Sequence, residues 1–118
     1  MDAPRLKSQI WLSAYLRRCM VAGLFGAVVK KGAEEAGAVF AMIDRLDGTV
    51  RLFGPAPGSS IGEDGMRRWI DETGGFVERP QALAILDRRK RSDPDLWIVE
   101  VEDRAGGGGF EDEEIIMM

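Results

Sequence analysis

The sequence predicts an α+β domain in which two main helices pack on one face of a mostly antiparallel sheet. Two observations carry this prediction. Apolar residues recur at helical spacing in two segments and at alternating spacing in others. In addition, the pair Asp47-Gly48 separates two strand-like runs, which is a strong hairpin signal. The predicted sheet is a three-strand meander with an N-terminal and a C-terminal strand added to it.

The first predicted elements are a strand and a helix. Residues 5–11, RLKSQIW, alternate in polarity, which is typical of a half-buried strand. The following residues repeat with helical spacing and predict a helix from about Ser13 to Ala22, with Gly23 as its stop. Cys19 falls on the apolar face of this helix, where a free cysteine is expected to act as a small hydrophobic side chain.

Three strand-like runs follow at residues 25–31, 37–44 and 49–55, and they predict the meander. The second run is apolar at both alternating sets of positions. Because such a strand needs cover on both of its faces, we expect it to be central. The turn at Asp47-Gly48 joins it to the third run as a hairpin.

Residues 54–75 form the longest predicted connection, and only residues 65–72 are expected to be ordered, as one or two helical turns. Connections of this length are usually functional or flexible. Arg67, Arg68 and Trp69 are of the types that dominate interface hot spots, so they are candidate partner-binding residues. The favoured alternative is that Trp69 anchors the loop on the core while the arginines pair with nearby acids.

A second helix is predicted over residues 78–92, with Pro80 in its first turn, and a C-terminal strand over residues 96–102. Four consecutive cations occupy the last turn of this helix, where the helix dipole favours positive charge. A solvated helix end is the favoured interpretation, and contact with a phosphate or an acidic partner is the alternative. The candidate anion contacts are Arg88, Arg89, Lys90 and Arg91.

From residue 106 the sequence predicts a flexible tail, outside a single domain of residues 1–105. Its four glycines make ordering costly, and its acids surround a few apolar residues, as in segments that fold on binding. Phe110, Ile115 and Ile116 are therefore candidate partner-binding residues. The alternatives are an added edge strand, packing on a neighbouring molecule, or no role. We expect deletion of residues 106–118 to leave folding intact.

The composition argues against catalysis and against nucleic acid. The chain has no histidine and one cysteine, so no catalytic residue, metal site, cofactor or disulfide is predicted, and the cytoplasm is the expected compartment. Residues 1–110 carry 16 basic and 16 acidic side chains, and the net charge of −4 comes from residues 111–114. A nucleic-acid-binding domain ordinarily has a basic excess. No segment approaches the roughly 18 apolar residues of a membrane span.

Three segments together resemble a family of small alphaproteobacterial proteins that is catalogued as a domain of unknown function. They are RLKSQIWLSAYLRR, KKGAEEAGAVFAMIDRLDGTVRLFGPAP and RRKRSDPDLWIVEVEDR. The resemblance covers nearly all of residues 5–104. It implies a free-standing cytoplasmic domain, and it brings no activity, cofactor or site.

The leading hypothesis is a non-enzymatic interaction module of a bacterial cytoplasm that binds a protein partner through its tail or through residues 54–75. The second hypothesis is an RNA- or nucleotide-binding domain that uses Arg67, Arg68 and the cations of the second helix. A carboxylate-based enzyme is the least favoured. Because small domains often bury sheet edges by dimerisation, a homodimer is a further hypothesis.

Overall fold

The computed structural model describes residues 7–57 and 67–116, which contain two α-helices, a short 3-10 helix and one seven-stranded sheet. The elements are α1 (Ser8–Val21), β1 (Phe25–Lys30), β2 (Val39–Asp44), β3 (Thr49–Pro55), β4 (Arg68–Asp71), β5 (Val77–Glu78), α2 (Arg79–Ser92), β6 (Trp97–Glu102), the 3-10 helix (Phe110–Asp112) and β7 (Glu114–Ile115). The strand order is β1-β6-β2-β3-β4-β7, and β5 pairs with β3.

Helix α1 begins at Ser8, so the predicted N-terminal strand is wrong where the chain is described. The Ser8 hydroxyl is buried and donates to the Gly37 carbonyl at 2.5 Å, and the Ser8 backbone N–H donates to the Glu35 carbonyl at 3.1 Å. Because these contacts satisfy polar groups at the start of the helix, it extends back into the alternating residues. The alternation is misleading, since Ser8 is buried and Ile10 is exposed.

The sheet is mixed, although four of its six strand pairings are antiparallel. Strand β6 lies between β1 and β2, pairing antiparallel with β1 and parallel with β2. The predicted three-strand meander is therefore wrong for β1, which does not pair with its neighbour in the chain. The β2–β3 hairpin is confirmed, and Gly48 in its turn adopts a φ of 90°.

The two helices pack on opposite faces of the sheet, which corrects the predicted arrangement on one face. On β2, Val39, Ala41 and Ile43 join the core beneath α1, while Phe40 and Met42 join the core beneath α2. The side chains of β6 are shared between the same two cores. Because both central strands are apolar on both faces, each face needs a helix to exclude water from it.

Helix α2 and strand β6 are confirmed. Pro80 lies in the first turn of α2, and Glu78 and Gln81 form a reciprocal capping box at its start. On β6, Trp97 and Val99 face α1, whereas Ile98 faces α2. These two elements agree with the sequence because their signals are local in the chain.

Strand β4 replaces the helical turns expected between residues 65 and 72. It pairs antiparallel with β3, where Trp69 lies opposite Pro55, and the Glu72 N–H donates to the Leu52 carbonyl at 2.8 Å. An extended backbone directs Trp69 into the core and its two neighbours away from it. Residues 58–66, the middle of the predicted loop, lie outside the described residues.

The segment from Gly106 to Ile116 packs on the domain, which differs from the expected tail beyond residue 105. Phe110 is buried in the core beneath α1, and the Tyr15 hydroxyl donates to the Gly108 carbonyl at 2.6 Å. Gly108 has a φ of 59°, and a Cβ on it would lie 2.4 Å from Cδ1 of Ile43. The glycines that suggested flexibility thus allow the backbone to approach β2 closely.

Replacement of Phe110 by alanine tests whether this segment belongs to the folded domain. Because a buried phenylalanine is removed and a cavity is left, we expect the variant to lose about 3–5 kcal/mol of unfolding free energy in urea titration. Leu83→Ala, on the exposed side of α2, is the control and should cost less than about 1 kcal/mol. Equal, small losses in both variants would contradict the packing of Phe110.

Candidate functional site

Trp69 and Phe110, both candidate partner-binding residues, meet in the core. Their ring centroids are 4.9 Å apart in an edge-on arrangement, and Phe110 stacks on Phe53 at 4.4 Å. Trp69 also lies 5.1 Å from Trp11 of α1, and its side chain is 1% exposed. The structure therefore favours the anchor interpretation of Trp69, because neither ring faces the surface.

Arg67 and Arg68 each tie neighbouring elements together. Arg67 donates to the Ser8 hydroxyl at 3.1 Å, and its guanidinium lies 5.8 Å from the Trp11 ring centroid. Arg68 forms an ion pair of 3.1 Å with Glu114, across the β4–β7 pairing. These contacts join elements of the fold, but Asp71 and Glu72, two of the nearby acids considered as partners of these arginines, form ion pairs with Arg51 and Arg89 instead.

Ile115 and Ile116 lie beside Trp69 of β4. Ile115 lies opposite Trp69 in the parallel β4–β7 pair and packs against the core beneath α1. The Ile116 N–H donates to the Trp69 carbonyl at 2.6 Å. The structure thus brings together both predicted partner-binding sets, which are about 40 residues apart in sequence, as one structural unit.

The basic run lies apart from that unit, exposed on the last turn of α2. Arg89 forms an ion pair of 2.9 Å with Glu72, and Lys90 forms one of 3.3 Å with Asp87. Arg88 and Arg89 also line a shallow groove of about 330 Å³ that includes Glu72. Because Glu72 lies inside this groove and pairs with Arg89, it neutralises one of the two cations there and weakens the attraction of the groove for an anion.

A cleft of about 270 Å³ opens between α1 and the C-terminal segment. Its lining includes Tyr15, Arg18, Cys19, Asp103 and Glu111. Burial raises the pKa of the Cys19 thiol and of the Tyr15 hydroxyl, so both groups are neutral at pH 7. A neutral, buried thiol is a weak nucleophile.

The described part of the chain was also considered as a possible metal site. No three cysteine, aspartate or glutamate side chains there are arranged to hold a metal ion.

Glu113 is a half-buried acid beside the aromatic core. Burial raises its pKa, while the guanidinium groups of Arg18 and Arg67 act in the opposite direction. The Trp69 indole N–H opposes the rise in pKa more than either guanidinium does, but burial outweighs all three. Ionised Glu113 therefore disfavours the folded state, relative to an unfolded chain in which it is hydrated.

The exposed apolar side chains of the protein are concentrated around β1. Five of the eight large exposed ones in the described residues fall between residues 20 and 29, and Phe25 and Val29 are 66% and 59% exposed. We call this set the β1 surface. It comprises Met20, Val21, Phe25, Val28 and Val29. Because alternate residues of a strand point to opposite faces, Phe25 and Val28 project from opposite sides of the sheet, and the exposed apolar side chains flank the strand on both sides.

One backbone edge of β1 is not paired with another described strand. Within residues 7–57 and 67–116, β1 pairs with β6 alone and ends the sheet. Edge strands are commonly protected by an outward lysine. Here the Lys30 ammonium turns back, donating to the Pro94 and Leu96 carbonyls at 2.7 and 2.9 Å. This lysine therefore does not block the edge.

Helix α1 holds β1 in place from one side of the sheet. A Cβ on Gly26 would lie 2.8 Å from Cδ2 of Leu16, so the absent side chain lets the helix lie close to the strand. The Leu24 N–H donates to the Cys19 carbonyl at 2.8 Å and closes the turn between the two elements. The last turn of α1, with exposed Met20 and Val21, therefore adjoins the start of β1.

Sequence reasoning missed the β1 surface because it placed β1 inside a meander. The apolar run at residues 25–29 is equally consistent with a buried strand and with an exposed edge. The available signal was Lys30 and Lys31, since charged residues at a strand end are typical of edges.

Comparison with known proteins identifies the family. Residues 6–111 match the family described as "Protein of unknown function (DUF1491)". The chain belongs to the DUF1491 family. No curated protein matches it.

Solved structures from two alphaproteobacteria are similar to this DUF1491 chain. A DUF1491 family protein from Caulobacter crescentus, solved by crystallography, is 36% identical with a TM-score of 0.77, and the match covers 97% of this chain and all of that one. A protein from A. tumefaciens, solved in solution, is 45% identical with a TM-score of 0.76 over 89% and 92% of the two chains. Both similarities confirm the predicted resemblance.

No described helix of this DUF1491 protein has the length and apolar character needed to cross a membrane.

Replacement of Glu113 by glutamine tests the cost of burying this carboxylate. The folded-state pKa of Glu113 is raised, so the protonated carboxyl favours the folded state. This contribution to stability is complete below the unfolded-state pKa of about 4.3 and is lost as pH rises through the folded-state pKa. We expect Glu113→Gln to be more stable than wild type at pH 7, and the two to converge at acidic pH. Thermal unfolding at several pH values measures this difference.

The exposed Glu111→Gln variant is the matched control and should show no such pH-dependent gain. A Glu113→Gln variant that is less stable than wild type at pH 7 would mean that its interactions with Arg18 and Arg67 outweigh the cost of burial.

Proposed function

We propose that this DUF1491 protein is a non-enzymatic protein-interaction module of the bacterial cytoplasm, and that its partner adds a strand at β1. The observation that carries the proposal is the β1 surface, in which exposed Phe25 and Val29 coincide with an open strand edge. Strand addition uses both features, since backbone hydrogen bonds supply affinity and apolar side chains supply specificity.

The gross contact energy available along β1, before the cost of association, is comparable with the binding free energy of a micromolar complex. Full burial of a side chain such as Phe25 or Val29 is worth about 1.5–3 kcal/mol, and each new backbone hydrogen bond adds about 0.5–1.5 kcal/mol. A micromolar dissociation constant corresponds to about 8 kcal/mol. A few such contacts along β1 therefore reach this range before the cost of association is subtracted.

A cytoplasmic location fits the chemistry of the chain. Its one cysteine, Cys19, is buried and free, so the fold includes no disulfide bond that would require an oxidising compartment. The family relatives from Caulobacter and A. tumefaciens support a bacterial source.

The proposal moves the binding surface away from the tail. Phe110 and Ile115, two of the apolar residues expected to bind a partner, already pack against the domain. The RNA-binding hypothesis gains no support, because Arg68 and Arg89 form ion pairs with Glu114 and Glu72. The β1 surface contains five of the eight large apolar side chains that are exposed in the described residues.

Affinity purification of the full chain from its own cells tests the proposal. Phe25→Lys places a charge on the β1 surface, so we expect it to lose a partner protein that the wild type retains. Leu83→Lys is the matched control, because Leu83 is an exposed apolar residue on α2. Circular dichroism verifies that both variants fold. Identical sets of proteins from all three chains would refute binding through β1.

A further inference from the structure

We infer that the partner at the β1 surface is a second copy of this chain, bound by antiparallel pairing of the two β1 strands. This inference rests on the proposed function, and it names the occupant of that same surface. The shape of the edge, the placement of charge along it and the distribution of apolar area each support a second copy.

The edge has a geometry that can pair with itself. Strand β1 is in regular register with β6 from Phe25 to Val28, and its irregularity is confined to the step between Val28 and Lys30. Around a two-fold axis, each copy presents the same row of N–H and C=O groups to the other. Antiparallel strands need no connecting segment to pair in this way.

The charges at the two ends of the edge are opposite. Exposed Lys31 follows the strand at one end, whereas at the other end Phe25 lies opposite Glu102, an exposed acid on the adjacent strand β6. Antiparallel pairing of two copies brings the lysine end of each strand toward the Glu102 end of the other. Parallel pairing would place the lysine ends side by side and would be repulsive.

The apolar residues extend the contact beyond the strands. A specific interface buries about 800 Å² on each partner, which is more than a six-residue strand edge supplies on its own. Met20 and Val21, on the last turn of α1, adjoin the start of β1 and are 71% and 84% exposed. In a two-fold assembly these side chains contribute twice, once from each copy.

Sedimentation equilibrium of the full chain, from micromolar to millimolar concentration, tests the inference. We expect a monomer–dimer equilibrium. Phe25→Lys should weaken dimerisation at least tenfold, because the new cation approaches Lys31 of the second copy. Phe25→Glu should weaken it less, since Lys31 of the second copy attracts the new acid. Leu83→Lys, away from β1, should leave the dissociation constant unchanged.

A chain that is monomeric at every concentration would overturn this inference. The proposed function would still stand if Phe25→Lys lost a different protein in the purification experiment. A dimer that Phe25→Lys leaves intact would also overturn the inference, because its interface would lie elsewhere. Equal weakening by Phe25→Lys and Phe25→Glu would contradict the antiparallel placement of charge.

Discussion

The position of β6 between β1 and β2 is the constraint on which the rest of the structure depends. Trp97, Ile98 and Val99 are buried on alternating faces, so this strand has to lie inside the sheet with cover on both sides. The same requirement holds for β2, with which β6 forms a parallel pair over Val39–Asp44. Two adjacent strands that are apolar on both faces call for a helix on each face, and α1 and α2 fill these positions. The three-layer arrangement thus follows from the burial requirement of two strands.

The same constraint leaves β1 at the end of the sheet. Because β6 pairs with β1 on one side and with β2 on the other, β1 loses its neighbour in the chain and keeps an open edge. The opposite end of the sheet is different, since β7 pairs with β4 and Phe110 packs into the core beside it. That end therefore presents only the edge of the two-residue strand β7, while Phe25 and Val29 stay exposed at the end formed by β1. This asymmetry is the physical basis for assigning the interaction to β1.

Local patterns in the sequence predict the elements better than their arrangement. The hairpin at Asp47-Gly48, helix α2 and strand β6 are encoded by turn chemistry and periodicity within a few residues, so they could be predicted. The order of the strands could not, because pairing of β6 with β1 depends on contacts across about 70 residues. The start of α1 was missed because the Ser8 contact with Gly37 is also non-local, across 29 residues. At the candidate site, the sequence identified residue types that are common at interfaces, such as Trp69. Whether such a residue lies in the core or on the surface depends on the tertiary packing, which the sequence pattern does not give.

Amide hydrogen exchange along β1, followed residue by residue by NMR, tests the open edge most directly. In dilute solution, the amides of Phe25–Lys30 that point away from β6 should exchange rapidly, while those of β2 and β6 stay protected. At high concentration, those same β1 amides should become protected as the edge is covered by a second copy. Protection of the outward β1 amides already in dilute, monomeric protein would contradict the account, because it would mean that the chain covers this edge itself.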